Sequence, residues 1–165
     1  CLYYACMDQF LTPFFKLSEF NKNISDPKLW VKPRPELLHV LQKLRERTGE
    51  SVLITDGART IQDHIETYKK IATRGGKHWT DVIVWTSRHL PAHGHSELRA
   101  VDIKCRSGKD FLTGAQVRDK VLEIVNSEAF IGLFGKCYWG FGVGKKYLHL
   151  DTGDRTMNAE WGYDY

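Results

Sequence analysis

The chain has 165 residues, a length that fits one domain with one core. Hydrophobic residues make up 42% and charged residues 27%, which excludes disorder, collagen-like repeats and coiled coil and suits a globular protein. The net charge of +4 is mild, Lys and Arg are interleaved with Asp and Glu, and no apolar run approaches the roughly 20 residues of a bilayer span; neither nucleic acid nor membrane is indicated.

Residues 1–33 carry Pro13, Pro27 and Pro33 and no clear periodicity. They read as an irregular N-terminal wrap of the domain, with one short helix near Leu17 to Asn21; residues 34–165 form its body. Pro35 suits a first helical turn. Leu37, Leu41 and Leu44 recur at helical spacing, and Gly49 suits the stop. Ser51 to Thr55 reads as a buried strand ended by the Asp56-Gly57 turn. Thr60, with Asp63 three residues on, opens a second helix to Arg74. Asp81 to Thr86 reads as a short strand, and Ser87 to Glu97 as a polar loop. Arg99 to Lys104 reads as a strand with Val101 and Ile103 on one face and Ala100 and Asp102 on the other. A third helix follows over Ala115 to Asn126. Two closing strands, Tyr138 to Val143 and Tyr147 to Asp151, flank a Gly-rich turn. The fold class is α+β, with a small, mostly antiparallel sheet flanked by helices.

The four cysteines, Cys1, Cys6, Cys105 and Cys137, form no CxxC pair, so a cysteine zinc knuckle is not expected. Disulfides and buried free thiols both remain open. The first residue is Cys1, which a cleaved leader, a lipid-modified cysteine or a trimmed end would each give.

Three of the seven histidines, His89, His93 and His95, crowd into the polar loop. The loop runs into the strand bearing Asp102, whose neighbours Val101 and Ile103 are apolar. A carboxylate there needs a partner. A metal ion is one; Arg99 or Arg59 is another. On the last strand His149 and Asp151 share a face with Tyr147, while Leu148 and Leu150 fill the other. A strand histidine is commonly a hydrogen-bonded core residue, but the nearby loop histidines and Asp102 favour a ligand. Two histidines and one carboxylate are a frequent catalytic zinc set with an open fourth position. No GxSxG, Walker loop, HExxH, or GxGxxG ahead of a helix competes. Gly140 to Gly144 lies between strands and reads as a turn where backbones approach closely.

Four segments in order carry a family resemblance. Leu11 to Phe20 resembles an opening motif of the phage and bacterial branch of the zinc D-alanyl-D-alanine peptidases. Leu53-Ile54-Thr55-Asp56-Gly57-Ala58-Arg59-Thr60 resembles its SGyRs segment. Ser87-Arg88-His89-Leu90 followed by Ala100-Val101-Asp102-Ile103 resembles its S-x-H and A-x-D pair. Tyr147-Leu148-His149-Leu150-Asp151-Thr152-Gly153 resembles its closing HxDtG segment. The resemblance covers most of the chain and implies the fold shared with the hedgehog signalling domain.

It also implies a zinc-dependent carboxypeptidase or endopeptidase that hydrolyses peptidoglycan stem peptides. The implied zinc ligands are His89, Asp102 and His149. Arg59 falls where the family binds a substrate carboxylate or carbonyl, a role suited to a guanidinium; Ser87 would support the first ligand. The implied setting is periplasmic, extracellular or virion-associated, with a monomer as the working unit. Three departures stand out. The family spacing of six residues before Asp102 belongs to His95, so His95 rivals His89. The usual acid three residues before the last histidine is Lys146, which leaves Asp151 as the replacement acid/base, with Glu97, His93 and His95 as others. Asp56 stands where the segment usually has Ser. A catalytically inactive binding module of the same fold is the alternative function. A metal-free structural domain ranks behind both. Trp79, Trp85, Trp139 and Trp161 lie near these segments, either as core anchors or as groove walls.

Overall fold

The computed structural model describes residues 9–90 and 97–163. The N-terminal wrap is a series of short elements: a hairpin of β1 (Phe10–Thr12) and β2 (Phe15–Lys16), the single-turn α1 (Leu17–Phe20), a 3-10 turn at Pro27–Leu29 and β3 (Lys32–Pro33). Phe15, Phe20 and Ile24 enter the same core as the rest of the chain, so burial rather than regular structure ties this segment down. Asn21 is wholly buried and bridges it internally, accepting from the Val31 N–H and donating to the Leu17 and Val31 carbonyls.

α2 (Pro35–Thr48) begins with proline in its first turn and ends at Gly49, whose φ of 62° is the left-handed cap that glycine adopts without strain. Leu37, Val40, Leu41 and Leu44 form its buried stripe. β4 (Val52–Asp56) turns Val52 and Ile54 inward. α3 (Ile61–Arg74) opens on a reciprocal box. The Thr60 hydroxyl accepts from the Asp63 N–H, and the Asp63 carboxylate accepts from the Thr60 N–H. β5 (Glu97–Leu98) pairs in parallel with β3, and β6 (Ala100–Ser107) is the longest strand, with β7 (Asp110–Phe111) folding back on its end. α4 (Gly114–Val125) is boxed by Thr113 and Gln116 in the same manner as α3. α5 (Glu128–Phe134), β8 (Trp139–Val143), β9 (Leu148–Thr152) and β10 (Ala159–Gly162) complete the described chain.

The main sheet runs in the order β10-β8-β9-β6-β4. Its pairs are antiparallel except β10 with β8, which is parallel. The α+β class is therefore as expected, with a mixed sheet. α2 and α4 pack together on one side. Val101, Ile103, Leu148, Leu150, Phe141 and Trp139 join them in the core. Cys105 is a free thiol inside this core, and burial pushes its pKa up to about 12 against a weaker downward pull from Lys120. Cys137 is also free; Cys1 and Cys6 lie outside the described residues.

Three expectations change. Asp81 to Thr86 is not a strand. The chain curls through a 3-10 turn at Trp79–Asp81, and the Val82 and Ile83 N–H groups both donate to the Trp79 carbonyl. α5 was not expected; Ser127 caps it by accepting from the Phe130 N–H. β10 was not expected either, because its partner β8 lies about 20 residues back and its alternating burial is shallow.

Gly57 is a point of backbone contact. A Cβ there would lie 2.2 Å from the Phe20 carbonyl oxygen, which accepts from the Ala58 N–H at 2.7 Å. Backbone cannot rotate away as a side chain does. Gly57→Ala is therefore expected to cost about 1–3 kcal/mol or more, measured as a lowered urea midpoint with an unchanged slope.

Candidate metal centre

β6 and β9 set Asp102 directly opposite His149 on the sheet face away from α2 and α4. Cross-strand neighbours of this kind bring their side chains within contact. His89 reaches the same point from the loop after the 3-10 turn. Two bonds to the Gly57–Arg59 backbone fix it: the His89 carbonyl accepts from the Arg59 N–H at 2.9 Å, and its ring Nδ1 donates to the Gly57 carbonyl at 2.7 Å. A carbonyl only accepts, so Nδ1 carries a proton, and in the neutral ring, the form that binds a metal, the Nε2 lone pair faces the cluster.

His89 Nε2 lies 3.1 Å from His149 Nδ1 and 3.5 Å from Asp102 Oδ1, and the last two are 2.8 Å apart. Ligand atoms on a tetrahedral zinc with bonds near 2.0–2.1 Å stand about 3.3 Å from one another. The donor set, two imidazole nitrogens and a carboxylate oxygen, is one that zinc and other transition metals take. The second ring nitrogen of each histidine is held, by the Gly57 carbonyl for His89 and by Asp151 Oδ2 at 3.3 Å for His149. Such outer partners fix ring orientation in metal sites. The residues present fit the ion, and among the described residues this is the group that could hold one.

The field at the cluster favours positive charge. Burial opposes charge on the His149 ring, but the hydrogen bonds to Asp102 and Asp151, with their charges, push its pKa up to about 9. Burial likewise opposes the Asp102 carboxylate, yet His89 and His149 hold it well below the usual carboxylate range.

Asp151 is 2% exposed and carries more partners than its expected acid/base role requires. Its Oδ1 accepts from Arg88 at 2.8 Å and from Arg155 Nε at 2.9 Å; its Oδ2 accepts from a terminal Arg155 nitrogen at 2.9 Å. Burial works against the charge, and His149, Arg155 and Arg88 outweigh it, so its pKa is lowered. The carboxylate touches His149 at Nε2, the ring atom facing away from the cluster. Arg59 also lies at the centre. It is 9% exposed, ion-paired with Asp56 and 3.8 Å from Asp102 Oδ2. Asp56 thus orients the guanidinium. Ser87 lines the cleft, while the bond on His89 Nδ1 comes from Gly57. Lys146 is exposed and paired with Asp110 at 2.6 Å. Glu97 is exposed on β5. His93 and His95 lie outside the described residues.

The cluster sits in a cleft of about 950 Å³. Thr67, Tyr68 and Ile71 of α3 form one wall, and Tyr147, Trp161 and Tyr163 form the other. The aromatic wall is continuous: His149 to Trp161 is 5.4 Å between ring centres, Trp161 to Tyr163 is 6.4 Å and Tyr163 to Tyr147 is 5.6 Å. Trp161 is therefore a groove wall, whereas Trp139 is wholly buried. Gly140 and Gly142 lie within β8, not in a turn, and side chains rather than backbones press on them. A Cβ at Gly142 would meet the Tyr163 ring at 2.3 Å, and one at Gly140 would meet Asp151 Oδ2 at 2.3 Å.

Arg88, Arg155 and the Tyr163 wall were missed as functional parts. A signal existed for the arginines: an acid on a strand as apolar as Leu148-His149-Leu150-Asp151 needs cationic partners, and Arg155 follows it by four residues. Compared with protein-family models, curated proteins and solved structures, the chain matches none.

Proposed function

We propose that the chain is a zinc-dependent peptidase of the D-alanyl-D-alanine peptidase type, with the hedgehog-like fold, that hydrolyses amide bonds in peptidoglycan stem peptides. The observation that carries this reading is the convergence of His89 Nε2, Asp102 Oδ1 and His149 Nδ1 at the floor of an open cleft, each histidine pinned through its other nitrogen. Such an enzyme works in the periplasm, outside the cell or on a virion, and as a monomer. Zinc bound there supplies Lewis acidity, polarising an amide carbonyl and making water nucleophilic near neutral pH.

The chain's own residues do the rest. Gly57 holds His89 in the tautomer that offers Nε2. Asp151, clamped by Arg88 and Arg155, holds His149 with Nδ1 toward the centre. Arg59, steered by Asp56, presents a fixed cation beside Asp102 where a carbonyl oxygen gains charge. The binding-module reading has its own support. The acids lining the cleft among the described residues are Asp56, Asp102 and Asp151, and each is already engaged by Arg59, the histidines or an arginine pair.

Elemental analysis of the purified chain, run beside mass spectrometry of stem peptides incubated with it, tests both. About one zinc per chain with chelator-sensitive cleavage is the expected result. Zinc without cleavage favours the binding module. A chain that takes up no zinc when supplied with it overturns the peptidase.

A further inference from the structure

Four cations line the cleft: Arg59, Arg88, Lys104 and Arg155. Three are spoken for. Arg59 is paired with Asp56, and Arg88 and Arg155 share Asp151. Lys104 differs. Among the described residues its contact is with the face of the Phe111 ring, 5.7 Å from the ammonium to the ring centre, and no carboxylate reaches it. A ring face attracts the ammonium weakly and accepts no N–H bond from it in the way a carboxylate does, so the charge stays available to an anionic ligand.

The register places that ammonium usefully. β6 and β9 pair Asp102 with His149 and Ile103 with Leu148. Lys104 follows Asp102 by two residues on β6 and so shares its face, and Tyr147 stands just before β9, two residues ahead of His149; both line the cleft. Two residues along a strand span about 7 Å, the reach of roughly two extended peptide residues. Tyr147 begins the aromatic wall that leads back through Tyr163 and Trp161 to His149.

We propose that Lys104 is a specificity-determining residue that binds a carboxylate of the peptide substrate, one or two residues from the bond held at the metal cluster. The Tyr147–Tyr163 wall covers the chain between them. The substrate class is thereby an acidic peptide. This inference rests on the peptidase reading for its substrate. A stem peptide offers such a carboxylate from two sources, its C-terminus and its γ-linked D-glutamate. A lone ammonium makes a charge-assisted bond to either.

The probes are the pentapeptide L-Ala-γ-D-Glu-L-Lys-D-Ala-D-Ala, its C-terminal amide, and the form whose D-glutamate α-carboxylate is amidated. Binding to zinc-loaded protein is measured by calorimetry for wild type, Lys104→Met and Lys104→Arg, with hydrolysis followed separately. In wild type, amidating one of the two carboxylates is expected to weaken binding about tenfold or more, and the position that matters identifies the source. Lys104→Met removes that preference while zinc content stays at wild-type level, and Lys104→Arg retains it. Equal preference in wild type and Lys104→Met, wild type with no preference, or no binding of any probe overturns the Lys104 assignment. Lys104-dependent preference without hydrolysis upholds the anchor and overturns the peptidase reading instead.

Discussion

Replacing His149 with alanine is expected to reduce bound zinc from about one equivalent per chain to none detectable and to bring stem-peptide cleavage to background. His149 contributes more than one ligand atom. Its ring lies between Asp102 Oδ1 at 2.8 Å and Asp151 Oδ2 at 3.3 Å, so its removal also sets two carboxylates facing each other across a gap. His89→Ala is expected to lose zinc in the same way, because its Nε2 is the third donor. His95→Ala is expected to keep it. Elemental analysis of the three variants, with circular dichroism to show that each is folded, checks the set. Retention of zinc in His89→Ala and loss in His95→Ala would move the first ligand to His95.

The second large effect concerns Asp151. Asp151→Asn keeps the shape of the side chain and removes the charge that steers His149. Outer partners of metal-bound histidines are commonly worth about 10- to 100-fold in metal affinity, and that is the expected weakening. Cleavage at saturating zinc should stay within severalfold of wild type. A general base at this position predicts the reverse, wild-type zinc affinity with turnover lowered about 10²- to 10⁴-fold. Zinc titration against a competing chelator, paired with turnover at saturating metal, separates the two. The geometry favours the steering role: both oxygens of Asp151 already hold guanidinium groups, and the carboxylate meets His149 on the ring atom facing away from the cluster.

Where local pattern records which face a residue occupies, the sequence was informative. Alternation along Ala100 to Lys104 and Tyr147 to Asp151 placed Asp102, His149 and Asp151 on one side of the sheet, where they lie. Helix limits were legible for a similar reason. Pro35, Thr60 and Gly49 act through their own backbone or a neighbour three residues away. Three apolar residues, Val82, Ile83 and Val84, fit a strand and a curl equally, and only the tertiary setting decides. Val84 is drawn into the curl because its carbonyl accepts from the buried His64 ring at 2.9 Å. β10 and the aromatic wall escaped for want of a local signal, since parallel pairing with β8 is a long-range event. The part played by Asp151 was hidden differently. Residue type marks it as an acid, but only the fold decides which nitrogen of His149 it meets.

The bare backbone at Gly140 and Gly142 sets limits on how this protein can change. Tyr163, Trp161 and Asp151 occupy the space where side chains on β8 would stand. Variation at those two positions would displace the walls of the cleft instead of reshaping its floor. Thr67 and Ile71, by contrast, face the cleft from a helix whose backbone bonds are internal, and Val82 faces it from the curl beyond. A lineage diversifying what the cleft accepts, or a laboratory doing so, therefore has its freedom on that side, with the β8–β10 side acting as a fixed template.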